Sequence, residues 1–331
     1  MKSFLAKRAV GLLGVLLALS AVVFALEAVV PADPVRAMVG ASASRASVQA
    51  ARVQLGLDQP LPQQYLHFLA RAVHGDLSMS LHTRRPVATD LASFLPASLE
   101  LGLAAGLIAL VLGAGLGIAT SGGRGRRSQL VLVALASAPP FLLALGMLLL
   151  FYAGLHVLPG SGRVTSGIGA PTGPTGMTTV DALLHGRFDV WSDAVAHLVM
   201  PAICLALGPA VALARTLRSS LQQVLTEDYV RTARAKALPE RKVLLRHALR
   251  NALSAPLTMA GLQVGLLLGG VVVVESVFAW PGIGLYTARS IQTIDFPAVA
   301  GTTLVLGAAY VVVNAVVDLA QLCADPRLRT A

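Results

Sequence analysis

Apolar residues along this chain gather into long runs, and the polar residues fall in the stretches between them. A helix needs roughly 20 apolar residues to cross about 30 Å of hydrocarbon. Six runs come close to that length without internal charge, at residues 9–30, 101–120, 130–158, 198–214, 255–274 and 298–317, with Glu27 near the end of the first. The pattern predicts an all-α integral membrane protein with six transmembrane helices. Pro139-Pro140 in the third run, and Pro201 and Pro209 in the fourth, predict kinks or irregular backbone there, because proline removes a helix N–H. The first run is longer than the roughly 7 to 15 apolar residues of a signal-peptide core, so it is expected to remain as an anchor.

Charge sets the orientation. Most of the 26 Lys and Arg residues flank the runs on one side: Lys2, Lys7 and Arg8, then Arg124, Arg126 and Arg127, then the basic residues between Arg215 and Arg250, then Arg327 and Arg329. Under the positive-inside rule that side, with both termini, is cytoplasmic. The domains that follow are an N-terminus and first span (1–30), a sizeable extracytoplasmic segment (31–96), a five-helix core (97–322) and a cytoplasmic tail (323–331). The first external segment carries helical signals at 47–55 and 63–73, separated by the turn Asp58-Gln59-Pro60-Leu61-Pro62. The second external connection starts Pro159-Gly160-Ser161-Gly162 and stays rich in Gly and Pro through Gly176, so it is expected to have little regular structure. It could cap a pore or be an inert connection.

Composition narrows the class. Hydrophobic residues make up 55% of the chain and charged residues 13%, against roughly 25% charged in a soluble protein. The net charge of +10 is then a topology signal, since a nucleic-acid face would want aromatics interleaved with the basic residues. Cys204 and Cys323 sit in or beside apolar runs and read as packing residues. The histidines are scattered without ligand spacing, so no metal or other cofactor is expected. No HExxH pair, GxSxG elbow or paired intramembrane acids support an embedded enzyme. None of Lys2, Lys7, Lys236 and Lys242 follows a glycine, so the chain has no phosphate-cradling Gly-Lys pair.

The longest cytoplasmic loop, residues 218–254, is more than charge. Thr226 is placed to cap a helix whose first turn holds Glu227 and Asp228, favourable at the positive end of the dipole. Pro239 and Glu240 suit the first turn of a second, basic helix running to about Asn251. Tyr229, Val230, Ala233, Ala235, Leu238, Val243 and Leu244 are interleaved with the cations, as a protein-docking surface requires.

At this point the loop resembles a known family. Asp228-Tyr229-Val230-Arg231-Thr232-Ala233-Arg234-Ala235-Lys236 and Arg246-His247-Ala248-Leu249-Arg250-Asn251-Ala252-Leu253 resemble the ATPase-docking EAA loop of ABC importer permeases, in the dipeptide, oligopeptide and nickel branch. Asp33-Pro34-Val35-Arg36, 55–61, Gly75-Asp76-Leu77-Ser78, Val274 through Gly284 and Asp325-Pro326-Arg327-Leu328-Arg329 are similar to further segments of that branch. Two departures are visible: Ala237 stands where the family has Gly, and Pro256 falls one position late.

The resemblance implies a non-catalytic permease subunit that forms half of a pathway for peptides, with nickel or another small solute as the alternative. A channel or secondary transporter is the reading from a different class. The implied partners are a second homologous permease, two ATP-binding subunits, an extracytoplasmic binding protein and membrane lipid, with no nucleic acid. Tyr229, Arg231, Ala233, Arg234, Lys236 and Ala237 are the implied ATPase-coupling residues. Gln263, Gly265, Glu275 and Trp280 are candidates for the pathway or its gate. Glu275 could hold structure or touch substrate, and the glycines of the fifth span (Gly261, Gly265, Gly269, Gly270) could face a second subunit, the pore or their own subunit.

Overall fold

The computed structural model describes residues 2–29, 44–54, 58–121, 133–134, 137–169 and 171–324. Asp33-Pro34-Val35-Arg36, Leu55-Gly56-Leu57, the cations at 124–127, the tail from Asp325, and the side chains of Glu27 and Asp318 lie outside the described residues. The helices are α1 (Lys2–Val29), α2 (Arg45–Gln54), α3 (Leu61–Val73), α4 (Val87–Ser121), α5 (Pro140–Gly154), α6 (Thr178–Leu184), α7 (Phe188–Val224), α8 (Asp228–Ala235), α9 (240–252), α10 (Ser254–Val277), α11 (Ile283–Gln292) and α12 (Phe296–Ala324). Leu148–Gly154 in α5 and Val243–Ala248 in α9 are π-helical. Among the described residues no strand forms beyond an isolated Met79–Pro86 bridge.

Among the described residues each apolar run overlaps a helix, although the helix within 130–158 covers only Pro140–Gly154. Among the described residues, α4, α7 and Phe296–Val317 of α12 are each long and apolar enough to cross a membrane. A fourth is added if the two parts of α10, Ser254–Leu267 and Gly269–Val277, bent by 50°, count as one span. The apolar stretches Val10–Leu26 and Pro140–Gly154 are shorter. Helix α7 reaches well beyond its apolar run and continues through Pro201 and Pro209, where kinks or irregular backbone were expected. Met200, Ala202, Ala206 and Ala210 beside those prolines are buried, and their packing keeps the segment helical where the lost N–H groups would weaken it. Pro139 and Pro140 instead begin α5, as N-cap and first residue.

The chain divides into two compact units, Met1–Phe94 with Tyr286–Val311, and Leu95–Leu285 with Val312–Ala331. In the first, α3 lies against α1: Phe24 meets the rings of Tyr65 and Phe68, and the Tyr65 hydroxyl lies 2.8 Å from Ser20 Oγ. Asp295 locks the 79–86 turn, accepting from the Ser80 hydroxyl and from the Leu81 and His82 amides at 3.1 Å each. The Tyr286 phenol donates to Asp90. Burial first, then the Asp90 and Asp295 charges, push its pKa above the ordinary tyrosine range.

The second unit is centred on α7, of whose most apolar stretch 61% is buried. Leu101, Ala105, Ala109, Gly113 and Gly117 recur every fourth residue of α4 and so form one ridge. Leu101, Ala105 and Ala109 join Met200, Ala202, Ala206 and Ala210 of α7 and Val271 and Val274 of α10 in a single core. A Cβ at Gly113 would fall 2.7 Å from Leu213 Cβ, and one at Gly117 2.9 Å from Leu217 Cβ. Small residues thus let two apolar helices approach where the hydrophobic effect gives no preference between helix and lipid. In the glycine-rich α10, by contrast, a Cβ at Gly269 meets nothing, and one at Gly270 meets only the end of the Leu205 side chain.

Candidate functional site

The 218–254 loop folds as a helical hairpin. Helix α8 opens at Glu227, and Thr226 does not cap it: its hydroxyl donates to the Gln223 carbonyl at 2.7 Å, a bond back to the preceding turn that competes with capping. Val230 and Ala233 face inward with Val243, against Val224, Leu225 and Leu238. Helix α9 starts after Pro239, and Ala248 and Ala252 pack on Leu217 and Leu221 at the end of α7. The loop is therefore anchored to α7 through both of its helices, and α9 leads directly into α10.

The six residues expected to couple fall in different settings. Ala233 is buried. Tyr229 is half exposed, and its hydroxyl accepts from Asn251 Nδ2 at 2.8 Å, tying α8 to α9. Arg231 and Arg234 are exposed, with Arg231 3.3 Å from Asp228 and Arg234 2.8 Å from Glu240. Such surface pairs contribute about 0–1 kcal/mol each and can be exchanged for another partner. Lys236 is exposed at the end of α8, and Ala237 follows with φ +51°, its amide donating to the Arg234 carbonyl at 2.9 Å. The chain thus places an alanine in the left-handed conformation that favours glycine, where the resemblance calls for Gly.

The four pathway candidates separate into two places, one along α10 and one at its C-terminal end. Gln263 and Gly265 line a cavity of about 590 Å³ together with Pro140, Cys204, Gly208 and Gly269. Gln263 also borders a second cavity of about 260 Å³ beside Ala109, Leu257 and Gly261. Its amide donates to Met259 Sδ at 3.4 Å. Glu275 lies at the other end of the helix, at most about 18 Å from Gln263 by helix rise, and Trp280 follows just past the helix end at Val277. Both are fully enclosed. Glu275 accepts from the Ser98 hydroxyl at 2.6 Å and the Leu285 amide at 3.0 Å, and Trp280 Nε1 donates to the Ala97 carbonyl at 2.9 Å. Gly282 and Gly284 leave room for the carboxyl group, since a Cβ on either would strike it.

A second buried carboxyl group, Glu100 in α4, was missed by the sequence reading. It accepts from the Thr178 and Thr179 amides at the first turn of α6, from the Thr179 hydroxyl, and from Arg163 of the Gly-rich connection. The Arg163 guanidinium also donates to the Gly176 carbonyl at 3.0 Å and stands 5.8 Å from the centre of the Trp280 ring. Thr165 donates through its amide and hydroxyl to Asp193, and Thr175 in the same way to Asp181. The connection is irregular, as expected, yet pinned at three points. Arg163 in a loop otherwise poor in charge, and Glu100 at the edge of an apolar run, were the signals available.

Residues 93–330 match the family described as binding-protein-dependent transport system inner membrane component, and residues 1–99 match the N-terminal region of such membrane components. The chain is 44% identical to the probable D,D-dipeptide transport system permease protein of Escherichia coli K12, over 98% of this chain and 97% of that one. It is 40% identical to a di/tripeptide transport system permease protein of Pseudomonas aeruginosa, over 99% of both chains. It is 37% identical to a glutathione transport system permease protein of Escherichia coli O6:H1, again over 99% of both.

Proposed function

Because this chain belongs to the family of binding-protein-dependent transport system inner membrane components, we propose that it is one permease subunit of an ATP-driven importer of short peptides. The observation that carries this is full-length similarity to permeases named for dipeptide, di/tripeptide and glutathione transport. Those names favour peptide over nickel, and the family membership sets the channel and secondary-transporter readings aside.

In this reading six helices cross the membrane: α1, α4, α5, α7, α10 and α12. Residues 97–322 form the permease core, and both termini face the cytoplasm. A second, homologous permease completes the pathway about a pseudo-twofold axis. Two ATP-binding subunits dock on the 218–254 hairpin through Tyr229, Arg231, Ala233, Arg234, Lys236 and Ala237. An extracytoplasmic binding protein delivers the peptide to the outer loops. Closure of the ATP-binding subunits displaces α8 and α9, and since these pack on α7 and continue into α10, the displacement reaches the pathway through packed helices. The cavity along α10 at Gln263 and Gly265 suits the pathway wall, and Glu275 and Trp280 suit the support of its gate.

Exchange of both Arg231 and Arg234 for Glu tests the coupling. Uptake of a labelled dipeptide in cells should fall at least tenfold while the protein stays in the membrane at normal level. Wild-type uptake by that variant would remove the hairpin from the mechanism.

A further inference from the structure

The hairpin carries more positive charge than the coupling residues account for. On α9 the buried face is Val243, Ala248 and Ala252, with Leu244 and Leu249 partly covered. The opposite face carries Lys242, Arg246 and Arg250, one turn apart in succession, with Leu245 and Leu253 beside them, 42% and 38% exposed. Among the described residues none of the three cations is in an ion pair, whereas Glu240, the acid of this helix, is held by Arg234. Basic and apolar residues on one exposed stripe suit the boundary between water and lipid headgroups.

Chain connectivity sets the depth of that stripe. Leu253 is followed at once by Ser254, the first residue of α10, so Arg250 lies at most about 6 Å and Arg246 at most about 12 Å from the start of that helix. The headgroup layer is roughly 5–8 Å thick on each face of a bilayer. With the start of α10 taken at the hydrocarbon boundary, Arg250 falls within that layer and Arg246 at most about 4–7 Å beyond it, within reach of phosphate for a long side chain. Arginine pairs with phosphate through two parallel N–H donors.

We propose that the Lys242, Arg246, Arg250 stripe of α9 is a binding site for anionic phospholipid headgroups of the cytoplasmic leaflet. It rests on the orientation proposed above but not on the transported substrate. A lipid held there fixes the height of α9 against the bilayer, so that a push on α8 turns the hairpin about a seated helix. Removal of a single cation lowers the preference for anionic lipid about fivefold.

The test is native mass spectrometry of the purified full chain in detergent, supplied with equal phosphatidylglycerol and phosphatidylcholine. Wild type should retain phosphatidylglycerol preferentially. The triple variant Lys242→Gln, Arg246→Gln, Arg250→Gln should lose at least tenfold of that preference, while Arg187→Gln, which removes a charge elsewhere, should keep it. No preference in wild type, or an unchanged preference in the triple variant, overturns the proposal. A triple variant that keeps its lipid but no longer co-purifies with ATP-binding subunits also overturns it, and assigns the stripe to protein docking. Peptide and ATP are absent from this assay, so its failure leaves the transport reading standing.

Discussion

Removal of the Glu275 carboxyl group should destabilise this protein more than any surface change in it. The group is fully enclosed and accepts two hydrogen bonds from separate elements, the Ser98 hydroxyl of α4 and the Leu285 amide of α11. In Glu275→Ala the Leu285 N–H loses its partner, a cost of about 1–3 kcal/mol. The deleted side chain leaves space that Gly282 and Gly284 cannot fill, which adds about 1–2 kcal/mol by analogy with other large-to-small changes. Ser98 suffers less, because its oxygen still accepts from the Ile283 amide at 2.8 Å. The total is about 2–5 kcal/mol. Glu275→Gln keeps one acceptor oxygen and the volume and should lose about half as much. The assay is heating in detergent followed by fluorescence-detected size exclusion. The alanine variant should lose its monodisperse peak about 5 °C or more below wild type, with glutamine between them. Equal midpoints for alanine and wild type would refute the reasoning. A glutamine variant with wild-type midpoint and level but no uptake would move Glu275 from support to the transport pathway.

Other expectations follow from the same geometry. Gly284→Ala places a Cβ 2.6 Å from the Val272 backbone, whereas Gly102→Ala meets nothing within 4 Å, so only the first should lower the midpoint in that heating assay. Ala237→Gly relieves a left-handed alanine at φ +51° and should stabilise the hairpin by about 0.5–1 kcal/mol, read as slower amide exchange at Lys236 and Ala237. Glu100→Gln weakens the charged contact with Arg163 while keeping the shape of the site, so limited proteolysis should cut residues 159–177 faster than in wild type.

Much of this protein is legible in its sequence because one force dominates it. Burial in hydrocarbon demands long apolar runs, and among the described residues each of the six runs overlaps a helix. The hairpin was legible through Pro239, which starts α9, and through the apolar residues set among its cations. Helix ends were less so: α4 begins at Val87, ahead of its apolar run, because Asp90 and Glu100 are buried against hydrogen-bond donors that hydropathy does not see. Of the kinked or irregular backbone expected at Pro201 and Pro209, the irregular form does not occur, since α7 stays helical there and tertiary packing outweighs a local penalty. Thr226 looked like a helix cap by residue type, but its hydroxyl bonds back to Gln223. Of the candidate site, the residues of α8 could be placed by pattern, while the pairing of Arg163 with Glu100 is a contact across many residues that spacing alone does not specify.

The central claim is that this chain works as one subunit of an importer, and co-purification tests it most directly. The tagged chain, taken from its native membrane in mild detergent, should bring down a second six-span permease and ATP-binding subunits carrying a Gly-Lys phosphate loop, identified by mass spectrometry. Exchange of Arg231 and Arg234 for Glu should release the ATP-binding subunits and keep the permease partner. Recovery of the chain alone, reproducibly and in several detergents, would contradict the account.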